Sequence, residues 1–235
     1  MTTFALDTAT PDPALAIVDG DDVLAEASLA RIPAGGRRVL EAAHDLFAQA
    51  AVAPADIDDI VVGVGPGGFT GIRIGIATAL GLGQALGIPV QGASTLEALA
   101  LGIAGEEARS GAQGEPVLVA PVIDARRGQV FAAAYLVGPS GGVEVVIAPA
   151  AWDPADFATA LAAAGPSVVA GDGADLVDLP ASARRAPAGA ADRVPAVRLV
   201  QRVRAGGARP VAPEYLRLPD AEENRLRRLR EEAPA

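Results

Sequence analysis

One pattern of elements occurs twice in this chain, and it limits the fold more than any other feature. Apolar runs at Thr2 to Leu6, Ala14 to Val18 and Val23 to Leu29 are separated by the turn-forming strings DTATPDP and Asp19-Gly20-Asp21, as a β-meander requires. Residues 36 to 51 then take helical spacing, with Val39, Leu40, Ala43, Leu46 and Phe47 on one face, and Ile60 to Val64 reads as a short buried strand. A helix over Thr70 to Leu86 and a short strand at Ile88 to Val90 follow; Ser94 opens another helix, with Glu97 placed to close a capping box.

The order then starts again. Val117 to Ile123, Gln129 to Val137 and Val143 to Ile147 read as three strands, Pro154 to Ala163 as a helix, and Ser167 to Ala170 as a strand closed by Gly171-Asp172-Gly173. Each first strand runs into an aspartate, Asp7 and Asp124. Three antiparallel strands, a helix and a strand, taken twice, imply an α/β protein of two ribonuclease-H-like lobes facing each other across a cleft. The expected division is an N-terminal lobe over 1–105, a C-terminal lobe over 106–218 and a charged tail over 219–235, helical at Ala221 to Arg230. Residues 181–195 read as a loop and Val197 to Arg204 as a short helix.

Composition removes whole classes of chemistry. The chain has no cysteine and no lysine, so all nineteen basic residues are arginine, and His44 is its single histidine. Thiolate sites, Cys nucleophiles, Schiff-base chemistry and the phosphate-loop lysine are excluded, as is a His-rich metal site. The net charge of −10 speaks against a self-sufficient nucleic-acid binder, although residues 184–235 carry twelve arginines against seven acids. The start of the chain lacks a basic leader, and the apolar run from Ile74 to Val90 is interrupted by glycines and Pro89. No membrane span and a cytoplasmic location are therefore expected.

The paired aspartates suggest a nucleotide clamp. In it Asp7, Thr8 and Thr10 of DTAT and Asp124 of DARR would face a metal-phosphate group, and Gly171, Asp172 and Gly173 would edge a nucleoside. The competing reading is that each aspartate caps the amides of its own turn. His44, beside the apolar face of its helix, is expected to be a partly buried structural residue.

The stretch GVGPGGFTGIRIGI, residues 63–76, looks at first like a phosphate loop, but it lacks the GxxxxGK[ST] pattern. More telling is the register Gly71, Gly75, Ala79, Gly83 and Gly87, which draws a line of small residues along one helix. Four glycines in a helix cost about 3–4 kcal/mol of propensity. Close approach of another element is the usual compensation. The spacing leaves open whether that element lies in the same lobe or on a partner.

The residues GVGPGGFTGIRIGIATALGLGQALGIPVQGASTLEALA (63–100), FALDTAT (4–10), PVIDARRGQVFAAAY (121–135), AGDGA (170–174) and PEYLRLPDAE (213–222) closely resemble, in order, the signature of the bacterial TsaB family, also called YeaZ. The resemblance implies the two-lobed actin/Hsp70/sugar-kinase (ASKHA) fold. It also implies a non-catalytic role in making the tRNA nucleoside N6-threonylcarbamoyladenosine. The partner it implies is the paralogous, metal-binding TsaD, with the ATPase TsaE joining the pair, tRNA reached through the complex, and a homodimer formed in isolation. Glycoprotease-type metallopeptidase activity is not expected, since one histidine cannot rebuild the TsaD metal site. The implied interface comprises Gly71, Ile72, Gly75, Ile76, Ala79, Leu80 and Gly83 with Val39 and Leu40, and Gly75→Leu is expected to leave the monomer folded while abolishing pairing. Where family members often carry His-Ser-Glu at the first helix, this chain has Gly35-Gly36-Arg37, which puts the contacts at that end in doubt. No cofactor is expected. The alternative is an independent nucleotide-binding enzyme of the same fold, with weak nucleotide affinity in the cleft.

Overall fold

The computed structural model describes residues 1–29, 36–111 and 114–217. Its strands are β1 (Thr2–Asp7), β2 (Ala14–Asp19), β3 (Asp22–Ser28), β4 (Asp59–Gly63), β5 (Val90–Ala93), β6 (Val117–Arg126), β7 (Gln129–Val137), β8 (Val143–Trp152), β9 (Ser167–Ala170) and β10 (Ala183–Arg185). Its helices are α1 (Gly36–Ala50), α2 (Phe69–Leu86), α3 (Thr95–Arg109), α4 (Pro154–Ala164) and α5 (Ala196–Arg202).

Among the described residues the strands form two five-stranded sheets, ordered β3-β2-β1-β4-β5 and β8-β7-β6-β9-β10. In both, the first three strands pair antiparallel and the last two join in parallel. The duplication expected from element order is therefore a duplication of topology, and the architecture is two ribonuclease-H-like lobes of the actin/Hsp70/sugar-kinase type. Four elements differ from the sequence reading, beginning with β5, expected at Ile88 to Val90 and found at Val90–Ala93. β6 runs past Asp124 to Arg126, β8 extends to Trp152, and the loop over 181–195 contributes the edge strand β10.

Side-chain alternation assigns each face of the sheets. In β1, Phe4 and Leu6 join α1 and α2 in an outer core, while Ala5 faces inward to α3. β2 repeats this with Leu15 and Ile17 outward and Ala14, Ala16 and Val18 inward. In the second sheet Phe131, Ala133 and Tyr135 face the same central cluster, and Ala132 and Ala134 pack with Phe157 and Leu161 of α4. The layers thus run α1/α2, first sheet, α3/α5, second sheet, α4. Strands covered on both faces must be apolar throughout, so the period-2 signal is carried by size, with the smaller residues of β1 and β2 toward α3 and those of β7 toward α4. α3 is buried without a break from Thr95 to Ile103 and again at Glu107.

The N-terminus of α3 forms half of the expected capping box. The Ser94 hydroxyl accepts from the Glu97 amide at 3.4 Å. The Glu97 carboxylate reaches instead to Arg202 and Arg209, at 2.5 and 2.7 Å. After the second sheet the chain returns to the first. α5 packs against α3 and the first sheet, and Arg209 forms a paired backbone bridge with Gly92 of β5.

α2 is an unbroken helix of 18 residues, and by length and mean hydropathy of 1.2 it meets the measure of a membrane-crossing helix. Ile72, Gly75, Ile76, Ala79 and Gly83, 28% of the helix, are buried on the sheet. Gly71, Gly75 and Gly83 of the glycine register are turned to the same lobe, whereas Gly87 ends the helix as a left-handed cap with open space around it. A Cβ on Gly71 or Gly75 would collide with the Thr8 carbonyl or hydroxyl, and one on Gly83 with the Val90 side chain. The Thr8 hydroxyl donates to the Gly71 carbonyl at 2.7 Å. This close approach within the lobe accounts for the helix propensity lost at Gly71, Gly75 and Gly83; Gly81 faces open space. The close approach also corrects the expectation for Gly75→Leu, whose larger side chain would meet Thr8 inside the monomer. Gly35 and the tail over 219–235 lie outside the described residues, as does the helix expected at 221–230.

Candidate functional site

The carboxyl ends of β1, β4 and β6 meet at the cleft between the lobes, the position at which open α/β sheets receive ligands. A cavity of 630 Å³ opens there, lined by Thr8, Thr10, Gly67, Gly68, Asp124 and Arg126 with residues 214–217. Of the cleft residues expected from sequence, the structure brings Thr8, Thr10 and Asp124 to this cavity and sets Gly171–Gly173 against the backbone of β6. A Cβ on Gly171 would strike the Val122 carbonyl, and one on Gly173 would lie 2.6 Å from the Asp124 nitrogen. The Asp124 amide donates to Asp172 at 3.1 Å.

Asp7 does not face the cavity. It is 1% exposed, and its two oxygens accept from the Thr95 hydroxyl at 2.7 Å and the Ala9 amide at 2.8 Å. The Cα of Gly63 leaves it room, since a Cβ there would overlap the carboxylate. Burial outweighs both hydrogen bonds and raises its pKa above the ordinary carboxylate value. Asp7 thus pins the end of β1 to the start of α3, as the turn-capping reading requires. Asp124 also caps its own turn, accepting from the Arg126 amide at 2.7 Å and pairing with the Arg126 guanidinium at 2.8 Å. Arg126 and Arg127 hold left-handed φ of 64° and 56°, a conformation that costs free energy for non-glycine residues. Asp172 reaches solvent, yet withdrawal from bulk water, aided by Asp124 and Asp12, pushes its pKa up to about 6.

The glycines of the glycine-rich loop serve close packing within the lobe. The Gly68 amide donates to the Ala9 carbonyl at 2.7 Å, and a side chain on Gly67 would collide with that same carbonyl. The loop is glycine-rich because segment 8–10 lies directly on it.

The outer face of α1 and α2 presents a second surface. Leu40 and Leu80 are 48% and 46% exposed, whereas Val39, Ile72, Ile76 and Ala79 belong to the core. An apolar groove of 160 Å³ runs between the helices, lined by Leu40, His44, Phe47, Leu82 and Leu86. His44 is exposed at this groove and not partly buried as its helical position implied. Of the interface residues expected from the resemblance, therefore, Leu40 and Leu80 stand on the surface. Val39, Ile72, Ile76, Ala79 and the glycines Gly75 and Gly83 are packed inside the lobe, and Gly71 is half-buried against Thr8.

Similarity to known proteins agrees with the architecture. The family profile of the tRNA N6-adenosine threonylcarbamoyltransferase TsaD matches residues 36–184. A tRNA threonylcarbamoyladenosine biosynthesis protein TsaB, from Bacillus subtilis, is 36% identical over 137 residues, 57% of this chain and 55% of that protein. The solved structure of YeaZ from Pseudomonas aeruginosa superposes with a TM-score of 0.71 at 27% identity, covering 92% of this chain and 99% of that one. The chain belongs to the TsaB/YeaZ family. An uncharacterized protein of Mycobacterium tuberculosis shares 39% identity over 225 residues, 94% of this chain and 93% of that protein.

Two features of this TsaB/YeaZ chain escaped sequence reasoning. At the cleft mouth Phe69 and Tyr215 stack at 5.1 Å, with the Arg73 guanidinium 3.7 Å over the Phe69 ring and its Nε donating to the Tyr215 hydroxyl at 2.7 Å. This cluster clips the C-terminal segment to the start of α2. The string PEYLRLPDAE held the signal, but nothing local says where Tyr215 packs. The other is Glu97, whose capping position hides its buried pairing with two distant arginines.

Proposed function

We propose that this chain is a non-catalytic subunit in the biosynthesis of N6-threonylcarbamoyladenosine in tRNA, one that binds and supports a catalytic paralogue of the TsaD type. The exposed apolar surface of α1 and α2 carries the reading: Leu40 borders the apolar groove between the helices and Leu80 stands exposed elsewhere on α2, leaving helical surface suited to a matching helix pair. The names borne by the TsaB relatives supply the pathway. In this proposal a paralogue sharing the fold offers an equivalent surface, and a homodimer through the same face forms when the paralogue is absent. The ATPase TsaE joins the pair, tRNA is met by the assembly as a whole, and the complex works in the cytoplasm. The burial of Asp7 supports the non-catalytic role, since the carboxylate best placed by sequence for metal-phosphate chemistry holds β1 to α3.

The test is co-expression with the TsaD of the same genome, followed by sizing and a tRNA modification assay with and without this chain. The expected outcome is a stable heterodimer and modification only when both are present. Separate elution together with full modification by TsaD alone would sink the proposal. The cleft of 630 Å³ keeps the independent nucleotide-binding enzyme as the second reading. Calorimetry of the isolated chain with ATP and Mg²⁺ separates the two, and micromolar binding lost in Asp124→Ala would favour the second.

A further inference from the structure

A larger cavity, of 860 Å³, lies at the other end of the lobe junction, by the β2–β3 turn, the end of α3, the β7–β8 turn and α5. Its size is that of a ligand pocket. Arg109, Arg198 and Arg204 line it together with the carboxylates Asp21 and Glu115, among apolar walls that include Leu101, Val137 and Val197.

The three arginines differ in how their charge is met. Arg204 donates to the carbonyls of Gly20 and Met1 and to the Thr3 hydroxyl, fastening the N-terminal strand. Arg109 pairs with Glu106 at the surface. Arg198 has no carboxylate at ion-pair distance among the described residues. Its Nη1 donates to the neutral Gln201 side chain at 2.6 Å, and its other arm lies over Gly105, where any Cβ would collide with Nη2. The charged groups that face it are Arg109 and Glu106 from α3 and Glu26 from β3. Partial withdrawal from water, and then the positive charge of Arg109, lower its affinity for its proton. A half-buried guanidinium beside a second one, both on the wall of a roomy cavity, is an arrangement that a bound oxyanion stabilises.

We propose that this cavity is a binding site for a small organophosphate, with its phosphate on Arg198 and Arg109 and its apolar body against Leu101, Val137 and Val197. The site is separate from the cleft and from the α1–α2 face, and it does not depend on the function proposed above.

Calorimetry of the full chain with phenyl phosphate, inorganic phosphate and benzoate tests it. Phenyl phosphate is expected to bind more tightly than either, the first for lack of an apolar body and the second for lack of a phosphate. Arg198→Gln is expected to weaken it at least about tenfold, the loss of one charge-assisted contact. Arg109→Gln, at an exposed position that leaves folding intact, weakens it as well. Arg126→Gln, at the cleft, leaves it unchanged. The site is refuted by absence of binding at about 10 mM phenyl phosphate, by unchanged affinity in both Arg198→Gln and Arg109→Gln, or by loss in Arg126→Gln. Benzoate binding as tightly as phenyl phosphate would overturn the assignment to phosphate.

Discussion

At the scale of single residues, the aspartates that invite a catalytic reading serve the turns. Asp7 satisfies the Thr95 hydroxyl and the Ala9 amide in a fully buried setting. Asp7→Ala leaves both donors without a partner, and the expected loss is about 1–3 kcal/mol, read as a lower urea midpoint at unchanged slope. Asp172 makes a prediction in pH. Its pKa is raised from 3.8 to about 6 in the folded state, so the folded chain holds a proton that the unfolded chain releases. The stabilising contribution is complete below the unfolded value and is lost as pH rises through the folded one. Asp172→Asn should therefore raise the thermal midpoint at pH 7.5 and lose that advantage near pH 3.5. The types and positions of Asp7 and Asp124 are plain in the sequence. Whether a carboxylate faces a cleft or its own amides depends on a few ångströms of backbone placement, which no local string encodes.

At the scale of elements, α2 separates two kinds of compensation for glycine. The four-residue register is legible in the sequence, and so is the need for close approach; the identity of the approaching element is not, because Thr8 and Val90 lie outside the helix whose glycines they meet. Gly75→Leu is accordingly expected to destabilise the fold itself by about 1–3 kcal/mol or more through overpacking. Leu80→Asp, on the exposed face, should change stability by no more than about 0.5 kcal/mol. It should nevertheless abolish co-purification with the paralogous subunit, while circular dichroism stays unchanged. Retained pairing in Leu80→Asp would move the interface off this face. The buried Glu97 joins α3 to α5 and to the segment at Arg209. Glu97→Ala strands two partly buried guanidinium groups and is expected to cost about 3–5 kcal/mol in chemical denaturation.

At the scale of the whole molecule, the repeated order of strands and helices makes the two-lobed architecture legible in the amino-acid sequence. What the order cannot convey is that the chain comes back: α5 and the residues after it return to the first sheet once the second is complete. Pairings such as Gly92 with Arg209 join residues far apart in the chain, and no local periodicity announces them. Return of the chain also predicts behaviour. Lobes joined by a simple linker would melt separately; here calorimetry is expected to show one transition, with van't Hoff and calorimetric enthalpies equal.

α3 has one further consequence. Its first residue, Thr95, is bonded to Asp7 beside the cleft, and its last, Arg109, lines the cavity at the far end of the junction. A helix of 15 residues spans about 22 Å. Held between the two sheets from Thr95 to Ile103, it lies like a keel along the junction, a single element shared by the cleft and the far cavity.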